Sequence, residues 1–253
     1  MRPKLTFLGT GTSNGVPVLG CQCEVCRSKD HHDKRLRTAA LIETAATRIL
    51  IDCGPDIRLQ LMDKEFRRID GVLITHSHFD HVGGTDDLRP YCRFGDIELY
   101  ANEKAVEGIR EMLPYCFTEH LYPGVPKLHL NTIEAGRPFS IGDMEIMPIE
   151  VMHDKLPILA YRIGDISYVT DIKTIDSHNL DLLRGTDTLV ISALRWEKPH
   201  HSHILVSEAI EISKEIGARK TYLTHLTDKI GLHAKASEKL PDGIELAFDG
   251  EVI

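Results

Sequence analysis

Several features are missing from this chain of 253 residues, and each absence excludes a class of protein. No apolar run reaches the roughly 18 residues that a membrane-spanning helix needs. The N-terminal segment lacks the apolar core of a secretory signal and predicts a first β-strand, so we expect a cytoplasmic protein. No linker rich in Pro, Gly or Ser, low-complexity tract or repeat interrupts the sequence, and we expect residues 1–253 to form a single domain.

An excess of positive charge is missing too. The formal net charge is −8 at pH 7, which argues against broad electrostatic attraction to nucleic acid or to an anionic membrane. We therefore expect the partner to be a small molecule, with neither nucleic acid nor a membrane as the target.

The six cysteines are not distributed like a disulfide framework. Cys21, Cys23 and Cys26 lie close together, and in a reducing compartment such clustering indicates thiolate metal ligands more than bridges. Without a metal, this segment would be a reduced cysteine-rich loop. The other three cysteines are scattered and suit small buried positions.

Short apolar runs alternate with helical patterns along the chain, and this mixed order favours an α/β or α+β layered fold. Helices are predicted over residues 103–113 and 208–216, with Asn102 and Ser207 as N-caps and Gly217 ending the second helix. Strands are predicted over residues 5–8, 40–43, 49–51, 71–75, 97–100, 144–152, 160–163, 167–170, 188–192 and 221–224.

The segment THSHFDH at residues 75–81 carries the most chemical information. It places four metal-binding side chains directly after an apolar run: His76, His78, Asp80 and His81. In a loop that leaves a strand, all four could converge on one pocket. The alternative is a fortuitous histidine-rich turn.

Three further candidate ligands follow apolar strands, namely His153, Asp171 and His225. Each one alone would suit a polar loop residue, but sites in layered α/β folds gather at such strand ends. Seven candidates exceed the needs of one tetrahedral cation and indicate two divalent metals, Zn, Mn or Fe, about 3.5–4 Å apart. We expect Asp171 to bridge them, and metals so placed would activate a water as the nucleophile. The expected groups are His76, His78 and His153 for one metal and Asp80, His81 and His225 for the other.

The run HSHFDH at residues 76–81 resembles the HxHxDH motif of the metallo-β-lactamase fold superfamily, and His153, Asp171 and His225 follow in the expected order. The resemblance covers nearly the whole chain. It implies a four-layer αββα sandwich with a dinuclear site at one edge. The segments FLGTG at 7–11 and LIDCG at 50–54 also look like that superfamily, in which Asp52 would support the site without being a ligand.

The segment GCQCEVC at residues 20–26 is similar to the cysteine loop of the PhnP-like cyclic phosphodiesterases. This resemblance implies a cysteine-rich metal loop at 20–27 that holds a structural zinc through Cys21, Cys23, Cys26 and a downstream residue. The family histidine is replaced here by Asp228, an oxygen ligand. His31, His32 and His233 are the alternatives for this fourth position.

The segment PHHSH at residues 199–203 resembles the motif that supplies a non-ligand histidine in related phosphodiesterases. The resemblance selects His203 as a catalytic residue, beside Asp80, which is counted both as ligand and as catalytic. As an imidazolium, His203 would stabilise charge on a phosphate and protonate the leaving alkoxide; a solvated histidine-rich loop is the alternative. Arg89 could contact phosphate or pair with a neighbouring aspartate.

These features predict a dinuclear metal-dependent hydrolase. The resemblance implies a phosphodiesterase that acts on a small cyclic or diester phosphate, and it also implies a homodimer. Hydrolysis of an ester, thioester or lactam by the same site is a second reading. A third is processing of tRNA in the manner of tRNase Z, although no long basic insertion is present. A non-catalytic accessory role like that of PqqB is a fourth.

Overall fold

The computed structural model describes residues 3–253, which form two β-sheets with helices on their outer faces. The first sheet holds the N-terminal strands in sequence order. Its first three strands pair antiparallel and the following pairs are parallel. The strands are β1 (Lys4–Gly9), β2 (Ala39–Glu43), β3 (Arg48–Ile51), β4 (Gly71–Leu73), β5 (Ile97–Ala101) and β6 (Leu128–Thr132).

The second sheet holds the C-terminal strands, also in sequence order. Here the first pairs are antiparallel and the last three are parallel. The strands are β7 (Phe139–Ile141), β8 (Met144–His153), β9 (Leu156–Ile163), β10 (Ile166–Val169), β11 (Thr188–Ser192), β12 (Lys220–Thr224) and β13 (Ile244–Leu246).

Short helices connect these strands. The α-helices are α1 (Glu24–Arg27), α2 (Ile57–Leu61), α3 (Phe79–Val82), α4 (Glu103–Met112), α5 (Ser177–Leu183), α6 (Val206–Ile216) and α7 (His233–Ser237). Single 3₁₀ segments lie at His31–Asp33, Thr85–Phe94, Pro114–Cys116 and Asp228–Ile230. Within residues 3–253, no helix combines the length and apolar character needed to cross a membrane.

The ends of the two long helices follow from their sequences. At the start of α4 the Asn102 side chain accepts a hydrogen bond from the Ala105 N–H (2.9 Å), as predicted. Helix α6 ends at Gly217, whose φ of 79° is the left-handed conformation that glycine adopts without strain. The prediction of Ser207 as its N-cap was wrong. The helix begins at Val206, two residues before the predicted start, and the Glu208 carboxylate accepts from the Leu205 N–H (2.7 Å).

Three buried apolar clusters divide the molecule into four layers. The central cluster joins the facing sides of both sheets, with Phe7 and Ile51 from the first and Tyr161 and Tyr168 from the second. A second cluster packs the outer face of the first sheet against α2 and α4. A third packs the second sheet against α5, α6 and α7. This arrangement confirms the predicted αββα sandwich.

The sheet directions explain where polar side chains gather. Strands β10, β11 and β12 run parallel, and β8 has the same direction because two antiparallel pairings through β9 separate it from β10. Their carboxyl ends therefore meet at one edge of the second sheet. The segment after β4 of the first sheet reaches the same edge, where the Thr75 carbonyl accepts from the Leu159 N–H (3.0 Å).

Candidate metal centre

The predicted ligands of the first metal meet at this edge. The ring nitrogens of His76, His78 and His153 all lie within 4.8 Å of one another. His76 Nε2 is 3.0 Å from His78 Nδ1. His76 and His153 are buried and His78 is exposed, so this group lies at the mouth of the site.

The second predicted group is Asp80, His81 and His225, whose ligand atoms also lie within 4.8 Å of one another. Asp80 Oδ2 is 3.4 Å from His81 Nε2 and 3.7 Å from His225 Nε2. Both of these Nε2 atoms are buried and lack a hydrogen-bond partner within the described residues. A buried polar atom without a partner is costly, so two such nitrogens facing carboxylates fit a bound cation.

Asp171 lies between the two groups. Its Oδ1 is 3.4 Å from His81 Nε2 and 3.3 Å from His225 Nε2, and its carboxylate also forms a ligand-sized cluster with His76 and His81. The Thr170 hydroxyl donates to the same oxygen (2.7 Å). This placement between the groups is the one that a bridging carboxylate requires.

Buried hydrogen bonds fix which ring nitrogen each histidine presents. Asp52, which is fully buried, lies 2.7 Å from His81 Nδ1 and accepts from the Thr75 N–H and hydroxyl. His153 Nδ1 is 2.8 Å from the Asp171 carbonyl and 2.9 Å from the Ser202 carbonyl. In both rings Nε2 is left to face the site, an arrangement that typically orients metal-binding histidines.

The charges of the surrounding side chains favour a cation at this site. Burial acts to raise the pKa of Asp171, but the neighbouring His225 and His81 outweigh it and hold that pKa well below its usual range. For Asp80, burial is likewise outweighed by the neighbouring His225 and His81, and its pKa is lowered. Burial and the nearby His81 lower the pKa of His76, which keeps that ring neutral and able to bind a metal.

His203 lies beside the second group, with 9% of its surface exposed. Its Nδ1 is 3.8 Å from Asp171 Oδ2, and its ring centroid is 5.0 Å from that of His225. Burial and then the charge of His225 lower the pKa of His203 to about 3. These surroundings favour the neutral ring, so the predicted role of His203 as an imidazolium requires that it gain a proton.

A cavity of about 470 Å³ opens in front of the first group. It is lined by His78, His153, Asp154, Lys155, Leu156, His201 and Ser202. Lys155 and Ser202 were missed at the sequence level. Their only sequence signal is proximity to His153 and to His203 respectively.

The cysteine loop forms a separate group with Asp228. The four ligand atoms of Cys21, Cys23, Cys26 and Asp228 lie within 4.8 Å of one another. Asp228 Oδ2 is 3.4 Å from Cys23 Sγ and 3.6 Å from Cys21 Sγ. All six cysteines are free thiols, so the group is open to a metal.

The alternative histidines for this group lie elsewhere. The His32 ring stacks on His233 with centroids 4.9 Å apart, and His31 packs against His32 at 3.8 Å. His233 Nδ1 is 3.2 Å from the Arg35 guanidinium. Among the candidates, the geometry thus brings only Asp228 to the three thiols. Arg89 pairs with Asp86 (2.8 Å) and lines a different cavity, as a structural ion pair would.

A family model and a solved structure both match this chain over most of its length. A model of the "Beta-lactamase superfamily domain" matches residues 47–226. A crystal structure described as a new diphosphatase from the PhnP family is 34% identical, with a TM-score of 0.92, and the alignment covers 100% of this chain and 97% of that one.

Two curated relatives carry different names. A protein of Porphyromonas gingivalis named octanoyltransferase is 44% identical over 245 residues, which are 96% of this chain and 50% of that protein. The chain thus spans about half the length of this relative. A protein of Methanopyrus kandleri named ribonuclease Z is 26% identical, covering 98% of this chain and 96% of the relative.

Proposed function

The chain belongs to the beta-lactamase superfamily and is PhnP-like, and from this premise we propose that it is a dinuclear metal-dependent phosphodiesterase acting on a small cyclic or diester phosphate. One observation carries the proposal. Two groups of metal-ligand side chains share Asp171, and a buried non-ligand histidine, His203, lies 3.8 Å from the second oxygen of that carboxylate.

The residues divide into ligands and supporting groups. His76, His78 and His153 would hold one cation, Asp80, His81 and His225 the other, and Asp171 both. When bound, two divalent cations activate a water and neutralise the charge of a phosphate. The donor set of imidazoles and carboxylates suits Zn or Mn. Asp52 keeps His81 Nε2 directed into the site.

His203 would donate the proton that the leaving group needs, a role that the metal-binding side chains cannot fill. Its ring lies where it can donate a hydrogen bond to a phosphate oxygen or to the leaving alkoxide. An anionic phosphate bound beside it raises its pKa, since an opposite charge stabilises the protonated ring. We therefore infer that His203 gains its proton with the substrate and donates it to the departing oxygen.

The cavity supports the proposed substrate class. A space of about 470 Å³ with Lys155 and His201 on its rim suits a small anionic molecule. The net charge of −8 supports a small diester over a nucleic acid, and a phosphoribosyl-type cyclic phosphate fits the PhnP likeness. We further propose a single hydrolase domain over residues 1–253, a cytoplasmic location and a homodimer.

The cysteine group is proposed as a structural zinc site with the ligands Cys21, Cys23, Cys26 and Asp228. Burial raises the pKa of Cys26 to about 11, which a divalent cation would reverse by binding the thiolate. Burial acts to raise the pKa of Asp228, but the hydrogen bond that Lys229 donates to it (2.7 Å) helps to outweigh burial, and that pKa is lowered.

Two comparisons favour other substrates of the same site. The relative named octanoyltransferase makes an acyl ester or thioester a candidate, although half of that protein lies outside the alignment. The relative named ribonuclease Z makes RNA a candidate. A thioester releases a thiolate, which departs without needing a proton, so its hydrolysis need not depend on His203, and that residue separates the readings. Failure to hydrolyse any ester or diester with both metals bound would favour a PqqB-like accessory role.

The deciding experiment measures metal content after reconstitution with Zn or Mn, together with the hydrolysis of a ribose cyclic phosphate, whose leaving oxygen is an alkoxide, and of p-nitrophenyl acetate. His203→Ala should lower diester hydrolysis by about 10²- to 10⁴-fold while leaving metal content and ester hydrolysis intact. His178→Ala is the matched control, since this histidine is exposed on α5 and does not line the cavity. Equal loss of both activities, or one metal or fewer per chain, would contradict the proposal.

A further inference from the structure

A second, basic cavity lies beside the tryptophan of the chain, and none of its lining residues belongs to either metal group described above. Its volume is about 360 Å³. It is lined by Arg195, Trp196, Glu197, Lys198, Lys229 and Lys239. Four basic side chains thus face one acidic side chain in a protein whose net charge is −8. A cleft lined by one sign of charge raises the local concentration of oppositely charged ligands.

Most of this positive charge is not neutralised by the protein. Within residues 3–253, Arg195, Lys198 and Lys239 form no ion pair with a carboxylate, whereas Lys229 is paired with Asp228 at 2.7 Å. The Arg195 guanidinium instead donates to the Lys198 carbonyl (2.9 Å), which holds the loop 195–198 in a closed turn. The charges are therefore concentrated and available to an anion.

Trp196 gives the cavity a rigid apolar wall. Its indole N–H donates to the Ile230 carbonyl (2.8 Å), and its ring packs against the core of the second sheet. Lys239 Nζ lies 5.6 Å from the ring centroid. Cations around an aromatic ring suit a ligand that combines phosphate with an apolar or aromatic portion, because each part then meets its complement.

The cavity lies between two segments that lead to the metal centre. The Leu194 carbonyl accepts from the Thr227 N–H (3.2 Å) and hydroxyl (2.9 Å), and so joins the loop after β11 to the loop after β12. The first loop continues to His203, and the second begins at His225. A ligand held here would contact both segments at once.

We propose that this cavity is an accessory binding site for a phosphorylated small molecule with an apolar or aromatic portion. The ligand is either the remote, non-reacting part of the substrate or a separate effector. The proposal concerns binding alone, and it stands whether or not the metal centre cleaves phosphodiesters.

The chain has one tryptophan, so its fluorescence reports this cavity directly. We would titrate the metal-loaded protein with adenosine 5′-monophosphate, a phosphate monoester that carries an aromatic ring. A saturable change in emission is expected, because the phosphate draws Lys239 away from the indole. In the double variant Lys198→Met, Lys239→Met, the apparent Kd should rise about tenfold. The control double variant Lys104→Met, Lys214→Met, with two exposed lysines elsewhere, should titrate like the wild type.

Two results would overturn the proposal: no saturable change in wild-type emission at millimolar nucleotide, or an equal Kd in wild type and Lys198→Met, Lys239→Met. The second result would place the nucleotide at the metal centre. Circular dichroism and metal content confirm that the variant is folded and loaded with metal.

Inhibition kinetics then distinguish the two kinds of ligand, the remote part of the substrate and a separate effector. Competition with the substrate, with a raised KM in the variant, indicates the remote part of the substrate; a change in kcat without competition indicates an effector.

Discussion

Three polar residues of the metal centre have backbone conformations that side chains other than glycine seldom adopt. The φ angles of Asp52, Asp171 and His225 are 60°, 52° and 56°. Such conformations cost about 1–3 kcal/mol each and persist only where the surroundings enforce them. All three residues lie one or two positions after a strand, β3, β10 or β12. The sharp turn at each strand end is what directs the side chain into the site.

Asp52 provides the first residue-scale prediction. Asp52→Asn should retain the size of the side chain and its contact with the Thr75 N–H but lose the charged partner of His81 Nδ1. Loss of a supporting carboxylate typically lowers metal affinity or activity by 10- to 100-fold. Metal affinity measured by competition with a chelator tests this. Asp86→Asn, which removes a surface pair with Arg89, is the control and should bind metal normally. Unchanged affinity in Asp52→Asn would show that His81 does not need a charged partner.

At the scale of elements, the loop that carries His203 is held by the start of α6. Lys173 Nζ lies 3.3 Å from both the His203 carbonyl and the Glu208 carboxylate, and Glu208 also caps the Leu205 N–H. We therefore expect Lys173 to be a positioning residue, which acts on the site through the backbone of His203.

Lys173→Met should lower kcat for the diester by roughly 10- to 100-fold with little change in KM or metal content, because misplacing a catalytic group by about 1 Å costs that much. Lys173→Arg keeps a donor and should recover much of the rate. Equal loss in both variants, or a loss confined to stability, would contradict a positioning role.

The element order was largely predictable from sequence, because apolar runs such as 49–51, 188–192 and 221–224 are buried on both faces and leave a continuous signal. Strands β6, β7 and β13 were missed. β6 and β7 are partly exposed edge strands, and β7 and β13 are only three residues long, so neither burial nor length marks them. The predicted strand at 71–75 ends two residues early, at Leu73.

The site was predictable where ligands follow strands, since His153, Asp171 and His225 needed only the strand ends and the sheet directions to meet. What sequence could not give is contact between distant segments. The pairing of Asp228 with Cys21 joins positions 207 residues apart, and no local pattern distinguishes it from His31, His32 or His233. The neutral state of His203 likewise depends on burial that only the assembled fold provides.

At the scale of the whole molecule, the contact of Asp228 with the cysteine loop predicts that a bound metal stabilises the folded protein. A cation held by Cys21, Cys23, Cys26 and Asp228 would join the N-terminal loop to the segment after β12. Free zinc at about 100 times its Kd stabilises a folded protein by about 2.7 kcal/mol. Asp228→Ala should therefore lose one metal per chain and much of this stabilisation, measured by urea unfolding, whereas Asp242→Ala, an exposed control, should not. A wild-type metal count in Asp228→Ala would remove Asp228 from the ligand set.

The C-terminal segment predicts how stability changes with pH. Burial raises the pKa of Glu251 to about 7 and that of Asp249 to about 6, from ordinary values of 4.5 and 3.8. Between the ordinary and raised pKa values the folded protein binds more protons than the unfolded chain. The free energy of unfolding should therefore fall as pH rises from about 4 to 7. Above pH 7 these two groups should change it little.

Glu251→Gln should reduce the fall in the free energy of unfolding between pH 5 and 7.5, measured by urea unfolding of the metal-loaded protein. Glu211→Gln, exposed on α6, should reproduce the wild-type change. If Glu251→Gln and the wild type lose equal stability over this range, Glu251 is ionised in the folded protein at pH 5, and its burial does not govern the acid side of the stability curve.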